Sequence, residues 1–169
     1  MMNRFILIIA AALLALPGCG AAKSGSTQAS LSPEEQQTAQ KIWQKMDSKS
    51  FSIDVDYMFS MRGEAKSVNG YFLSVVNGET LNSGLPYYGY ARNIPLGGGK
   101  GLSFEEKIID YKDGGLEKDS RTVVISVKNE EDAYVYTITV YANAYTDIHV
   151  RCDNRDAISF RGLFNLDED

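Results

Sequence analysis

Residues 122–152 read TVVISVKNEEDAYVYTITVYANAYTDIHVRC, and this stretch decides the fold. Apolar and polar side chains alternate along 122–128, 133–141 and 145–152, which is the period-two pattern of half-buried strands. The two connections between these segments are short and contain turn-forming residues. Strands that follow one another so closely pair as antiparallel neighbours, so the stretch predicts a meander.

The same alternation continues on both sides of this stretch. Upstream, strands are predicted at 51–61 and 68–76, and Asn77-Gly78 then predicts a tight type I′ hairpin into a short strand at 79–82. The remaining predicted elements are strands at 102–111 and 157–161 and a polar loop at 112–120. About eight strands with short connections indicate a barrel or a sandwich, and both architectures use the same alternation.

The strand predicted at 51–61 has two distinct faces. Its expected buried face consists of Phe51, Ile53, Val55, Tyr57, Phe59 and Met61. Asp54 and Asp56 fall on the opposite, solvent-facing side, and only Met58 departs from the alternation. We therefore expect one buried face and one solvent-exposed face along the whole strand.

A helix precedes the strands. Ser32 is a helix cap, Pro33 suits the first helical position, and Glu35 completes a capping box. The helix is expected to end near Asp47, and its apolar face comprises Ala39, Ile42, Trp43 and Met46. The predicted fold class is α+β: an N-terminal helix packed on an antiparallel meander of about eight strands.

The N-terminus has the organisation of a secretory signal. Arg4 precedes an unbroken apolar run over 5–16, which is too short to span a bilayer. Leu16-Pro17-Gly18-Cys19 then resembles a bacterial lipobox, in which Cys19 becomes the acylated N-terminus. The alternative is an ordinary signal peptide in which Cys19 is there by chance.

The lipobox defines the expected domain organisation. Residues 1–18 are a lipoprotein signal peptide, 19–31 are the lipidated Cys19 and a flexible tether, and 32–169 form a single domain. Acyl chains, of which palmitate is one, then anchor the protein to a membrane. Cys152 has no partner for a disulfide if Cys19 carries lipid.

Composition excludes several classes of function. The chain has 169 residues, a formal net charge of −5, one His and two Cys. A nucleic-acid-binding protein would show a basic surplus, so no nucleic-acid partner is predicted. The single His and two Cys leave little material for a metal site, and we predict neither a metal nor a cofactor.

Catalytic patterns are equally scarce. Asp147 and His149 share one face of a predicted strand, which is the orienting half of a hydrolase triad, but no serine partner is identified by a motif. Cys152 falls on the opposite face from His149, so a thiol pair is not expected. We predict no catalytic residue and no enzymatic activity, with a hydrolase using Asp147 and His149 as an alternative.

Tyrosine is the most abundant aromatic residue, with 10 copies beside 7 Phe and 1 Trp. Tyr87, Tyr88 and Tyr90 cluster next to a proline and a glycine. Strand tyrosines usually belong to a core or its rim. The alternative for this cluster is a tyrosine-lined pocket for a small apolar or glycan-like ligand.

Three segments carry a resemblance to a known family. They are Leu85-Pro86-Tyr87-Tyr88-Gly89-Tyr90-Ala91, the glycine-rich approach to Gly101-Leu102-Ser103-Phe104, and Arg155 with Ile158-Ser159-Phe160 and Gly162. With its lipobox, the chain resembles the Bacteroidetes-type bacterial lipoprotein family called domain of unknown function 4251 over nearly all of 19–164. The resemblance implies one compact β-rich envelope domain and supplies no catalytic residues.

The resemblance also bears on location. In Bacteroidetes lipoproteins, an acidic patch just after the lipidated cysteine resembles a surface-export signal, and this chain has none after Cys19. We therefore expect a lipid-anchored protein on the periplasmic face of the outer membrane. Its expected role is binding or scaffolding, with an envelope protein or a small ligand as the partner.

Overall fold

The structure is a computed structural model that describes residues 32–61, 63–92 and 99–167. The predicted signal peptide (1–18) and the tether with Cys19 (19–31) lie outside the described residues. Within the described ranges, every helix is too short or too polar to cross a bilayer.

The predicted helix is confirmed as α1, Pro33–Asp47. The Ser32 hydroxyl accepts from the backbone N–H of Glu35 at 3.3 Å, and the Ser32 N–H donates to the Glu35 carboxylate at 2.7 Å. Ile42 and Met46 are fully buried in the same apolar cluster as the strand interiors. The capping box thus starts the helix, and its apolar face attaches it to the sheet.

Eight antiparallel strands follow and close into a barrel, because the last strand pairs with the first. In chain order they are β1 Phe51–Phe59, β2 Ala65–Val76, β3 Thr80–Leu85, β4 Leu102–Glu117, β5 Ser120–Lys128, β6 Ala133–Tyr141, β7 Tyr145–Cys152 and β8 Ile158–Phe164. Of the two predicted architectures, the structure therefore adopts the barrel. Closure leaves each strand with a neighbour on both sides for at least part of its length.

The bounds of β6 and β7 are the predicted ones, and the Asn77-Gly78 hairpin has positive φ at both residues, as a type I′ turn requires. The predicted loop at 112–120 is wrong. β4 continues to Glu117, and Gly115, with φ of 76°, lies within an irregularity of the β4–β5 pairing. A bulge that contains glycine resembles a loop in its amino-acid composition, although its backbone remains part of the sheet.

The buried face predicted for the first strand is correct only as far as Val55. The pairing of β1 with both of its neighbours shifts at Asp56, which is the extra residue of a β-bulge. Met58 is therefore 1% exposed, whereas Tyr57 and Met61 are 47% and 69% exposed. A single inserted residue turns the rest of the strand over, because side chains alternate with a period of two.

Gly162 in β8 leaves room for this bulge. It pairs with Val55 and points into the barrel. A Cβ atom at this position would lie 2.0 Å from the backbone oxygen of Asp54. The backbones of β1 and β8 approach so closely here that only glycine fits.

Side chains fill the interior of the barrel. The largest fully buried ones from the strands are Tyr134, Tyr136, Phe160, Ile53, Met58, Leu73, Leu81, Leu102, Ile125 and Ile138. All belong to one apolar cluster that also includes the buried face of α1. The hydroxyl of Tyr136 is satisfied inside this cluster by Ser83, at 3.2 Å. The interior is thus a packed core.

The two ends of the barrel differ. The helix end carries the β2–β3, β4–β5 and β6–β7 turns. There Asp47 of α1 forms an ion pair with Arg121 of β5, with 2.6 Å between nitrogen and oxygen. The other end, called the loop end below, carries the β1–β2, β3–β4, β5–β6 and β7–β8 connections.

Candidate functional site at the loop end

A buried arginine organises the loop end. The side chain of Arg155, from the β7–β8 connection, is only 4% exposed. Its guanidinium donates to Glu131 at 2.5 Å and to the hydroxyl of Tyr134 at 2.6 Å. A guanidinium buried to this degree requires such partners, since an unpaired buried charge is very costly.

Glu131 joins this arginine to the glycine-rich segment. Its carboxylate accepts from the backbone N–H of Lys100 at 3.0 Å as well as from Arg155. The Lys100 N–H and then Arg155 hold the pKa of Glu131 below its ordinary value, against the opposing effect of burial. The carboxylate is therefore ionised at neutral pH, and the pair is a charged one.

Asp132 links the β5–β6 and β7–β8 connections through hydrogen bonds. Its carboxylate is buried and accepts backbone N–H groups of Ala133 at 2.9 Å and of Asp153 and Asn154 at 3.1 Å. These donors come from the start of β6 and from the β7–β8 connection. The carboxylate of this one aspartate therefore satisfies backbone N–H groups that would otherwise need water as their hydrogen-bond acceptor.

Tyr87 is hydrogen-bonded to the segment that follows it in the chain. Its ring lies 5.8 Å from the guanidinium carbon of Arg155, and its hydroxyl donates to the backbone oxygens of Tyr90 at 3.0 Å and Asp156 at 3.2 Å. Burial and then the Asp156 carboxylate raise the pKa of Tyr87 to about 12, so the phenol stays protonated and remains a donor. Tyr87 is a structural part of this segment.

Tyr88 and Tyr90 form an exposed surface on this support, which we call the tyrosine rim. Their side chains are 58% and 69% exposed, and the ammonium of Lys66 lies 4.9 Å from the ring centre of Tyr88. The backbone beneath them is fixed, because Tyr90 exchanges hydrogen bonds with Asp156 and Ala91 forms a β-bridge with Arg155. Two aromatic side chains on a preorganised segment are suited to binding.

The structure brings the three segments of the family resemblance together here. The guanidinium of Arg155 lies over the Tyr87 ring, and the backbone oxygen of Gly101 accepts from Arg155 at 3.4 Å. No sequence pattern indicates that Arg155 is the centre of this cluster or that Glu131 and Asp132 are its anionic partners. The resemblance contained Arg155, but neither acidic residue belonged to a motif.

The Asp147 and His149 pair lies elsewhere, on the outer face of β7. His149 Nδ1 lies 2.9 Å from the hydroxyl of Ser159, its cross-strand neighbour. Asp147 instead accepts from Arg161 at 2.9 Å and from the hydroxyl of Tyr141 at 3.4 Å. Because Asp147 is engaged by Arg161, it does not orient the imidazole as a triad requires.

Cys152 is half-buried and packs against the core, whereas His149 is exposed on the other face of β7. Burial, followed by the charge of Asp132, raises the pKa of the Cys152 thiol to about 12. The thiol is therefore protonated at neutral pH and is a poor nucleophile. Over the ranges that the structure describes, no three His, Cys, Asp or Glu side chains are grouped as metal ligands.

These features define a class of protein. It is a closed antiparallel β-barrel with a packed interior, a helix at one end, and at the other end a cluster of loops held together by a buried arginine. The chain belongs to the family described as domain of unknown function DUF4251, whose sequence profile matches residues 33–164. The resemblance seen in the sequence is thus confirmed.

A solved structure supports the same fold. The chain is similar to a DUF4251 family protein from Bacteroides eggerthii, with a TM-score of 0.59 and 11% identity over 76% of this chain and 87% of that one. At this identity the likeness concerns the fold alone. No curated protein matches the sequence.

Proposed function

We propose that this protein is a lipid-anchored, non-enzymatic binding protein of the cell envelope. Cys19 anchors it to the periplasmic face of the outer membrane, and the barrel presents the tyrosine rim to an envelope protein. The observation that carries the binding role is the contrast between the fixed backbone of the rim and the exposure of Tyr88 and Tyr90. A segment whose backbone is already fixed loses little further backbone entropy when a partner covers its exposed side chains.

Two alternatives are weaker. A carrier that encloses a small apolar or glycan-like ligand inside the barrel would need an internal pocket, whereas the interior positions are occupied by packed side chains such as Tyr134 and Tyr136. A hydrolase would need Asp147 to orient His149, whereas Asp147 is paired with Arg161. The lipobox and the exposed rim favour anchoring and binding over both.

The anchor is tested by replacing the acylated residue. We expect Cys19→Ala to move the protein from the membrane fraction to the soluble fraction and to abolish incorporation of an alkyne palmitate analogue, because no acyl chain can then be attached. Cys152→Ala is the matched control and should change neither result. Unchanged labelling of Cys19→Ala would contradict the anchor.

The rim is tested in intact cells of the native host. We expect a photo-crosslinking phenylalanine analogue at position 90 to give a discrete adduct, and the same analogue at position 141 to give none. Tyr141 is also exposed but lies at the helix end of the barrel. Adding Tyr88→Ala should reduce the adduct by about tenfold, since aromatic anchors dominate such interfaces. Equal adducts from both positions, or none from position 90, would refute the rim as the binding surface.

A further inference from the structure

A second surface, separate from the tyrosine rim, has the properties of a ligand site. It is a depression of about 640 Å³ on the outside of the barrel between β1 and β2, which we call the β1–β2 groove. Its size lies within the range of about 300–1,000 Å³ that is usual for small-molecule sites. The residues that line it come from 52–56 of β1 and 69–74 of β2.

The groove exists because the two strands are irregular at the same level. Val55 pairs with Tyr71 and Tyr57 pairs with Ser67, so three residues of β2 face one residue of β1. Gly70 has φ of 74°, which allows β2 to bend there. The extra residues interrupt the β1–β2 ladder beside the groove.

Two aromatic residues line the groove. Tyr71 and Phe72 are 36% and 39% exposed, a high fraction for aromatic side chains on a sheet. Phe72 lies across the sheet from Gly84, and a Cβ at Gly84 would be 2.7 Å from its ring. The Phe72 ring therefore lies over Gly84 of β3, and more than a third of the residue remains exposed.

Apart from Val55 and Gly70, the rest of the lining is polar and uncharged or acidic. Ser52 and Ser74 contribute hydroxyls, and Asp54 accepts from Asn165 at 3.3 Å. Within the described part of the chain, the side chains of Asp56 and Asn69 make no hydrogen bond or ion pair of their own. Among the described residues, the groove thus offers an unpaired carboxylate, an unpaired amide and the ring of Phe72, which is the cross-strand neighbour of Asp54.

This combination selects a class of ligand. Among the residues that the structure describes, no lysine or arginine lines the groove, so an anionic ligand would meet repulsion from Asp54 and Asp56. A purely apolar ligand would leave these carboxylates desolvated and unpaired. A sugar ring has apolar C–H faces that pack on an aromatic ring and hydroxyls that both donate and accept, which matches carboxylate, amide and hydroxyl partners.

We propose that the β1–β2 groove binds a neutral oligosaccharide. Phe72 supplies the stacking surface, and Asp56 and Asn69 supply hydrogen bonds to ring hydroxyls. The proposal does not depend on the tyrosine rim, since the two surfaces share no residue.

The test is isothermal titration calorimetry of the full chain in detergent with four probes: maltoheptaose, cellohexaose, tetra-N-acetylchitotetraose and spermidine. We expect saturable binding of at least one of the three neutral oligosaccharides. Phe72→Ala should weaken that binding by about tenfold or more, because it removes the stacking surface. Asn69→Ala changes an exposed side chain that pairs with no described residue, so it should weaken binding as well without affecting folding.

Two variants sharpen the result. Tyr141→Ala removes an equally exposed aromatic from the outer face of β6 and should leave binding unchanged. Asp56→Asn keeps a hydrogen-bonding group but removes the charge, so oligosaccharide binding should fall by no more than about threefold, in line with a neutral hydrogen bond. The proposal would be overturned if spermidine bound, Asp56→Asn abolished that binding, and no oligosaccharide bound. The groove would then be a cation site.

Two other outcomes also overturn it. Oligosaccharide binding that is insensitive to both Phe72→Ala and Asn69→Ala would place the sugar elsewhere. No heat of binding from any neutral probe at millimolar concentration would exclude this ligand class. Neither outcome bears on the Cys19 anchor or on crosslinking from position 90, so failure of the groove is distinguishable from failure of the proposed function.

Discussion

Replacing Arg155 with leucine is expected to lower the free energy of unfolding by about 3–5 kcal/mol, the usual cost of removing one partner from a buried ion pair. The Arg155 side chain is 4% exposed and reaches Glu131, Tyr134 and the backbone oxygen of Gly101. Leucine restores part of the apolar volume but none of the donors. Glu131, which would keep only the backbone N–H of Lys100 among its described donors, and the Tyr134 hydroxyl would then each lose a charged donor in a largely buried site.

Urea denaturation followed by circular dichroism measures this loss, and Arg161→Leu is the matched control. Arg161 also pairs with an aspartate, Asp147 at 2.9 Å, but its side chain is 53% exposed. An exposed pair contributes only about 0–1 kcal/mol, so the control should unfold nearly as the wild type does. Equal losses for the two variants would show that the burial of Arg155 is not what stabilises the loop end.

The same variant affects the tyrosine rim. The segment that carries Tyr88 and Tyr90 is held by Tyr87 and by pairing with Arg155 and Asp156. Removing the guanidinium takes away the group on which the Tyr87 ring packs. The exposed tyrosines therefore depend on a buried arginine for their position, which connects the stability of the loop end to the proposed binding role.

The second large effect is expected from Gly162→Ala, which should destabilise the barrel by about 1–3 kcal/mol, the range for overpacking a well-filled interior. The added methyl would lie 2.0 Å from the backbone oxygen of Asp54 and 3.0 Å from the Cα of Val55. Neither atom can rotate away, because both belong to the main chain of a paired strand. Relief requires β1 and β8 to separate at the seam that closes the barrel.

Gly84→Ala is the control for this substitution. Its Cβ would also make a close contact, at 2.7 Å, but with the ring of Phe72, a half-exposed side chain that can turn. We expect a loss below about 1 kcal/mol, as for other changes in which a side chain relaxes. Thermal melts of both variants give the comparison, and a Gly162→Ala melt that coincides with the wild type would disprove the close approach.

Some elements of this protein follow from short stretches of sequence. The capping box at Ser32 and Glu35 starts α1, and Asn77-Gly78 makes the β2–β3 turn. Strict alternation sets the bounds of β6 and β7. These signals act between residues close in the chain, so their physical effect is present whatever the rest of the molecule does.

Other features were wrongly predicted because a bulge has no reliable local pattern. Tyr57 was expected inside and Met58 outside, and the bulge at Asp56 reverses them. Met58 is the only residue of this strand that departs from the alternation, and its apolar side chain is indeed buried. A second bulge near Gly115 keeps β4 in the sheet where its composition suggested a loop.

The amino-acid sequence by itself determined the helix, the strand order, the antiparallel meander and the family to which the chain belongs. Only the tertiary structure decided that the meander closes, that Gly162 admits the bulge of β1, and that Arg155 meets Glu131 beneath an exposed tyrosine rim. The physical reason is separation along the chain: periodicity, capping and turn formation act over a few residues. Closure, backbone approach and buried charge pairing depend on residues that become neighbours only when the barrel forms.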